Sequence, residues 1–416
     1  VAFQIRNKSI VAVAAAIVLL STTLAGCGKD KVEAPRYQVK DINAAQVHAY
    51  NDFSLRMTKQ LLAKTKDGNV CISPLSMAFA LSLLVNGAEG ETKAELLRVL
   101  GAKGLTLEAL NQGSDVLRDL LEHADPKVDV RIANAVWARK GTGLAEDYSQ
   151  RIKRFYEAEA SELDFDDADA AKTINQWVNK KTQGLIDRMV DENTLKSSVM
   201  VLMNAIYFHG EWTKPFKESD TKDAQFHLAD GSSVTVPMMA QKASLTYKES
   251  EHFKAVRLPY GDGKWSMTVV LPNEGITLPE AETELLKDAS SWREGFTQGM
   301  AEIELPRFKL QYGTSLIDAL KTLGMKQSFD KEKADFSGMT KSRQSLYVNG
   351  AIHKTFIEVN EQGTEAAAVT SITTAATAAA PMDPFKLRVD RPFFFTIEDQ
   401  TTGAILFLGS VTQPTA

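Results

Sequence analysis

The segment from Glu361 to Pro381 constrains this chain more than any other. Across Glu361-Gln362-Gly363-Thr364-Glu365-Ala366-Ala367-Ala368-Val369-Thr370-Ser371-Ile372-Thr373-Thr374-Ala375-Ala376-Thr377-Ala378-Ala379-Ala380-Pro381 there is no Lys, no Arg and no aromatic residue. After Glu365 every residue is small or β-branched until the proline. Ala/Thr-rich stretches usually act as linkers between domains. Here only 35 residues follow Pro381, and they read as core strands. Phe393-Phe394-Phe395-Thr396-Ile397 and Ala404 to Val411 are apolar runs separated by the turn-forming Asp399-Gln400-Thr401-Thr402-Gly403, an antiparallel pair. The stretch is therefore a long loop within one domain, and such loops are usually functional or disordered.

This loop is compatible with two states. Gly363 lacks a Cβ and can turn as a hinge. Beyond it, small side chains can thread between existing strands, and Val369, Thr370, Ile372, Thr373 and Thr374 favour extended structure once there. No proline interrupts a hydrogen-bond ladder before Pro381. As a strand, Thr364, Ala366, Ala368, Thr370, Ile372 and Thr374 would share one uncharged face. Glu365, Ala367, Val369, Ser371, Thr373 and Ala375 would share the other, with its single charge beside the hinge.

The rest of the chain supplies a large body. Of 416 residues, 44% are hydrophobic and 24% charged, enough apolar material for a sizeable core. The net charge of -5, with no basic tract of five or more residues, argues against a nucleic-acid partner. Ser73-Pro74 reads as a helix N-cap and first residue, with Met77, Ala80, Leu81, Leu84 and Val85 at helical spacing and Gly87 as a stop. Ala171 to Val190 reads as another helix, and Trp265, Met267, Val269 and Leu271 alternate as a strand. Helices first and strands later predict an α+β fold.

Searches for chemistry return little. There is no G-x-S-x-G elbow, H-E-x-x-H or P-loop, and none of His48, His123, His209, His227, His252 and His353 has a histidine partner at metal-binding spacing. No residue is assigned a catalytic role, and no cofactor or metal is expected.

At the N-terminus, Arg6 and Lys8 precede the apolar run Ile10 to Leu20, which is short for a membrane span and fits a signal peptide. It ends in Leu24-Ala25-Gly26-Cys27, which resembles the bacterial lipobox. The resulting expectation is a signal peptide over 1–27 with Cys27 lipidated, a tether over 28–42, and one domain over 43–416. Export with the membrane as a partner follows, to an outer membrane or cell surface if the host is Gram-negative. Cys71, in Val70-Cys71-Ile72, reads as a buried small hydrophobe.

Eight blocks in order resemble the serpin family over about 43–414. They are Asn69 to Ser76, Asn204 to Phe216 with His209-Gly210-Glu211-Trp212, Pro237-Met238-Met239, Leu258-Pro259-Tyr260, Leu305-Pro306-Arg307-Phe308, Asp335 to Met339, the hinge Glu361 to Ala368, and Leu387 to Ile397. The resemblance implies three β-sheets, eight or nine helices and an exposed reactive-centre loop over about 361–386. It also implies a monomer that traps a serine protease covalently. The protease cuts the loop, and the loop inserts into the main sheet before the acyl-enzyme is hydrolysed.

By position, Ser73, Ser76, Asn204 and His353 match the family's polar cluster where the sheet opens, and Trp212, Arg307 and Glu361 its insertion start, with an Arg307–Glu361 ion pair. Taken singly, Ser73 is also an N-cap, Trp212 core packing and His353 a structural histidine. Family spacing sets the reactive bond at Thr377–Ala378, within a window of 375–382. Ala and Thr there suit elastase-like or subtilisin-like proteases. The alternative is a non-inhibitory serpin-fold binding protein whose loop is only a substrate.

Overall fold

The computed structural model describes residues 34–65, 68–341, 345–364 and 383–415. Ten α-helices lie among them: α1 (Ala44–Lys64), α2 (Pro74–Val85), α3 (Gly90–Val99), α4 (Leu107–Glu122), α5 (Glu146–Tyr156), α6 (Ala168–Lys181), α7 (Glu192–Lys196), α8 (Leu278–Leu285), α9 (Ser290–Arg293) and α10 (Ile317–Thr322). The count exceeds the expected eight or nine because α7 and α9 are little more than single turns, of 5 and 4 residues.

Local chemistry starts the helices. Side chains of Asn43, Thr106 and Asp167 accept N–H groups of the first turns of α1, α4 and α6. Ser73 and Pro74 open α2 where the spacing predicts, but Ser73 Oγ makes no capping bond, a correction to its reading as a side-chain cap. α2 is buried along its whole length. The helix expected over Ala171 to Val190 runs instead from Ala168 to Lys181. Gln183 and Gly184 take positive φ values of 52° and 90°, which end it, and Ile186 is buried from the following loop.

Two hydrogen-bonded networks are built from the strands β1 (Val70–Ile72), β2 (Val128–Arg139), β3 (Glu159–Leu163), β4 (Met200–Glu211), β5 (Lys222–His227), β6 (Ser233–Glu249), β7 (Phe253–Tyr260), β8 (Trp265–Pro272), β9 (Thr297–Pro306), β10 (Phe308–Ser315), β11 (Gly350–Val359), β12 (Gly363–Thr364), β13 (Phe385–Arg388), β14 (Phe393–Asp399) and β15 (Ile405–Val411). The larger runs β1-β15-β14-β8-β7-β6-β9-β13, with β5 also on β6. Because β6 pairs with β5 over its first residues and with β7 over its last, one long strand joins two layers. The apolar runs expected to pair do so: β14 and β15 are antiparallel, with Phe393 opposite Val411.

The smaller sheet runs β10-β11-β12-β4-β2-β3. Its alternation sets two faces. Met200, Leu202, Ile206 and Phe208 of β4 point into the main core, and Val201, Met203 and Ala205 point toward α6. Cys71, in β1, is fully buried, and burial pushes its thiol up to about 12, which suits packing rather than reactivity. Within the stretch expected as tether, Arg36 and Tyr37 are docked on α4. Arg36 bonds Asp119 and Asp115, each at 2.8 Å, and the Tyr37 hydroxyl bonds Asp115 at 2.8 Å.

Candidate functional site

The sheet has an interrupted seam. β11 and β4 pair in parallel from Gly350 opposite Val201 to Thr355 opposite Ile206. Beyond that point they part, and β12 enters between them, antiparallel to both, with Thr364 opposite Gly210 and Val359. A side chain at Gly363 would put its Cβ 2.0 Å from the Gly210 carbonyl oxygen, so only glycine allows this approach to β4. Thr364 is fully buried, and its hydroxyl meets the buried Tyr260 hydroxyl at 2.7 Å.

Side chains around this entry point fix it. Trp212 Nε1 donates to the Asn360 carbonyl at 2.9 Å, its backbone N–H donates to Gln362 at 2.8 Å, and its ring stacks on Tyr260 with centroids 4.3 Å apart. Arg307 Nε donates to the Glu361 carboxylate at 2.8 Å, and the Thr221 hydroxyl donates to the same oxygen. Burial works to raise the Glu361 carboxyl, but the bonds from Arg307 and Thr221 hold it below its ordinary value.

Further down the seam lies a buried polar cluster. His353 Nε2 accepts the Ser73 backbone N–H at 3.1 Å, and His353 Nδ1 donates to Asn204 Oδ1 at 2.5 Å. Asn204 Nδ2 donates to Ser76 Oγ and, at 2.6 Å, to Asn134 Oδ1 on β2. Among the described residues, Ser73 Oγ and Asn134 Nδ2 have no hydrogen-bond partner. These bonds tie β11, β4, β2 and α2 together at one point.

A sheet parted by the short strand β12 above such a cluster is accompanied by a family match across the body of the chain. The model of the serpin (serine protease inhibitor) family matches residues 48–414. The chain belongs to the serpin family. An uncharacterized serpin-like protein of Thermococcus kodakarensis is 35% identical over 377 residues, covering 88% of this chain and 85% of its own. Among solved structures, native protease nexin-1 with heparin aligns with a TM-score of 0.82 at 29% identity, over 89% of this serpin and all of that chain. Human thyroxine-binding globulin, complexed with thyroxine, aligns at 0.79 and 27%, over 89% and 99%.

All seven body residues singled out from the serpin resemblance converge on the seam: Ser73, Ser76, Asn204 and His353 in the cluster, Trp212, Arg307 and Glu361 at the entry. Gln362, Gly363 and Thr364, from the expected hinge, lie at the same entry. Glu365, Ala366, Ala367, Ala368, the reactive bond Thr377–Ala378 and Cys27 lie outside the described residues. Sequence reasoning missed Asn134, Thr221 and Asn360, and gave Tyr260 no role. For Asn134 the signal was available, as one amide inside the apolar run Ile132-Ala133-Asn134-Ala135-Val136.

Full burial pushes the His353 imidazole down to about 3. Its folded value is depressed, so the neutral ring contributes stability above the unfolded value near 6.5, and that stability is lost as pH falls toward 3. Each pH unit in that window costs about 1.4 kcal/mol, or roughly 2 kcal/mol by pH 5. NMR of this serpin is expected to show a His353 ring that stays neutral from pH 8 to pH 5. A ring titrating near 6.5 would contradict the burial argument.

Proposed function

We propose that this serpin is an irreversible inhibitor of serine proteases, of elastase-like or subtilisin-like specificity, acting by loop cleavage and insertion. The observation that carries this reading is β12: the loop has already begun as a strand, at the point where β11 and β4 part. Continuing its register sets Ala366, Ala368, Thr370, Ile372 and Thr374 opposite Phe208, Ile206, Asn204, Leu202 and Met200 on the core side. That face is uncharged throughout and, Ile372 apart, made of Ala and Thr. Val369, the bulkiest residue of the other face, would lie opposite Ala205 on the side toward α6. β4 has 12 residues, so pairing would use 363–374, about 40 Å of strand, and end three residues short of Thr377.

In chemical terms, the target's serine oxygen attacks the Thr377 carbonyl carbon. The Thr377–Ala378 peptide bond breaks, and Ala378 leaves as a protonated amine. An ester then joins protease and inhibitor. Insertion of the freed loop drags that ester away before water can cleave it. Export with a lipid on Cys27, tethering the inhibitor to a membrane, belongs to the same reading and rests on Leu24-Ala25-Gly26-Cys27.

A second reading, a carrier whose loop is merely cut, has one observation in its favour. A cavity of about 880 Å³ opens between the end of α1, α8 and the strands near Arg391, with Leu62, Val70, Leu228, Leu278 and Leu286 on its walls. One experiment separates the two. Residues 28–416 are mixed with elastase over a molar series and resolved on denaturing gels with mass spectrometry. An SDS-stable complex and a released fragment starting at Ala378 are expected. Clean cutting without complex by elastase-, subtilisin- and chymotrypsin-like enzymes would favour the carrier.

A further inference from the structure

At the far end of the seam one residue, Asn349, bridges the two strands ahead of their ladder. Asn349, immediately before β11, accepts the Val199 N–H at 2.9 Å and the Met200 N–H at 3.3 Å through Oδ1, and Nδ2 donates to the Ser197 carbonyl at 2.7 Å. Its own backbone N–H donates to the Met200 carbonyl at 3.2 Å. All four bonds cross from the entry of β11 to the entry of β4. Next to them the strands are tightly apposed: a Cβ on Gly350 would sit 2.9 Å from Val201 Cγ1.

The register of β12 gives this amide a meaning. Thr364 lies opposite Gly210 on β4 and Val359 on β11. Counting down both ladders, residue 374 would arrive opposite Met200 on one side and Asn349 on the other. The last pairing position available to an inserting loop is therefore the one that Asn349 now closes. At the opposite end the seam is already parted by β12, and midway it is held by His353 and Asn204, which belong to the cluster described above. Asn349 belongs to neither group.

We propose that Asn349 is a positioning residue for loop insertion, an amide clasp whose opening sets how fast a cut loop completes its run down the sheet. Through that rate it sets how an acylated protease divides between trapping and release, and this second consequence rests on the inhibitory reading. A hydrolysable ester competes with a moving strand, so whatever delays the strand favours hydrolysis.

The test compares the full chain with Asn349→Ala and Asn349→Asp. The aspartate keeps an acceptor for Val199 and Met200 but loses the donor to Ser197, and it also serves if the alanine variant fails to fold. The loop is cut with elastase, and insertion is followed as the gain in melting temperature with time after cutting. Trapped complex per cut inhibitor is measured in parallel. Insertion is expected to be about tenfold faster in Asn349→Ala, a barrier lower by roughly 1.4 kcal/mol, and intermediate in Asn349→Asp. The trapped share should rise in the same order.

Equal insertion rates in all three proteins, with only the uncut melting temperature lowered, would overturn the clasp and leave Asn349 a structural residue. Insertion that accelerates in the variants while no protein traps protease would sink the inhibitory reading and uphold the clasp. A cut wild-type protein that gains no stability at all would overturn both.

Discussion

Under the proposed inhibitory mechanism, Thr364→Arg is expected to leave a mere substrate: the loop is cut, but SDS-stable complex falls at least about tenfold. Thr364 is fully buried between β11 and β4, and its hydroxyl is spoken for by Tyr260. An arginine there must either bury an unpaired guanidinium, which costs several kcal/mol, or pull the hinge out of the sheet. Since 1.4 kcal/mol already changes a rate ratio tenfold, either outcome lets ester hydrolysis outrun insertion. Thr364→Ser keeps the hydroxyl and should still inhibit. Gels and residual protease activity across a molar series measure both variants. Undiminished complex from the arginine variant would show that this position does not enter the sheet first.

Thr370→Val should act on one state only. In the uncut protein His353 donates to Asn204, and that bond must break when a strand comes between β11 and β4. The register of β12 brings residue 370 opposite both of them. A threonine hydroxyl can accept from His353 Nδ1 and donate to Asn204 Oδ1, whereas valine, of the same shape, leaves two buried polar groups unpaired. The cut, inserted form is therefore expected to lose about 1–3 kcal/mol, while the uncut form melts as before. Calorimetry on both forms decides it. An equal loss in the two, or none in either, would remove residue 370 from the cluster.

Much of this architecture was legible from residues alone, and the exceptions have physical causes. The β14–β15 pair announced itself because two apolar runs flank a turn, which is local information. The end of α6 did not: periodicity continues through Ile186, and only the left-handed backbone at Gln183 and Gly184 stops the helix. The polar cluster was found through family resemblance rather than spacing. Ser73 and His353 are 280 residues apart, and no local pattern links them. The role of Ser73 was half right, since it sits at the cap position but uses its backbone N–H on His353 rather than its hydroxyl on the helix. Asn349 gave no sign at all, because its three side-chain partners are backbone groups, which carry no sequence signature.

One consequence of the β11–β4 pairing concerns time. Those strands run parallel, whereas β12 is antiparallel to both. A completed insertion would exchange one parallel ladder for two antiparallel ones, the better-aligned kind, and bury a row of small side chains besides. The uncut fold would then be the arrangement the chain reaches first rather than its lowest in free energy. Its durability is a half-life, set by the height of the barrier along the seam, and shelf storage or gentle warming should consume the active protein without unfolding it.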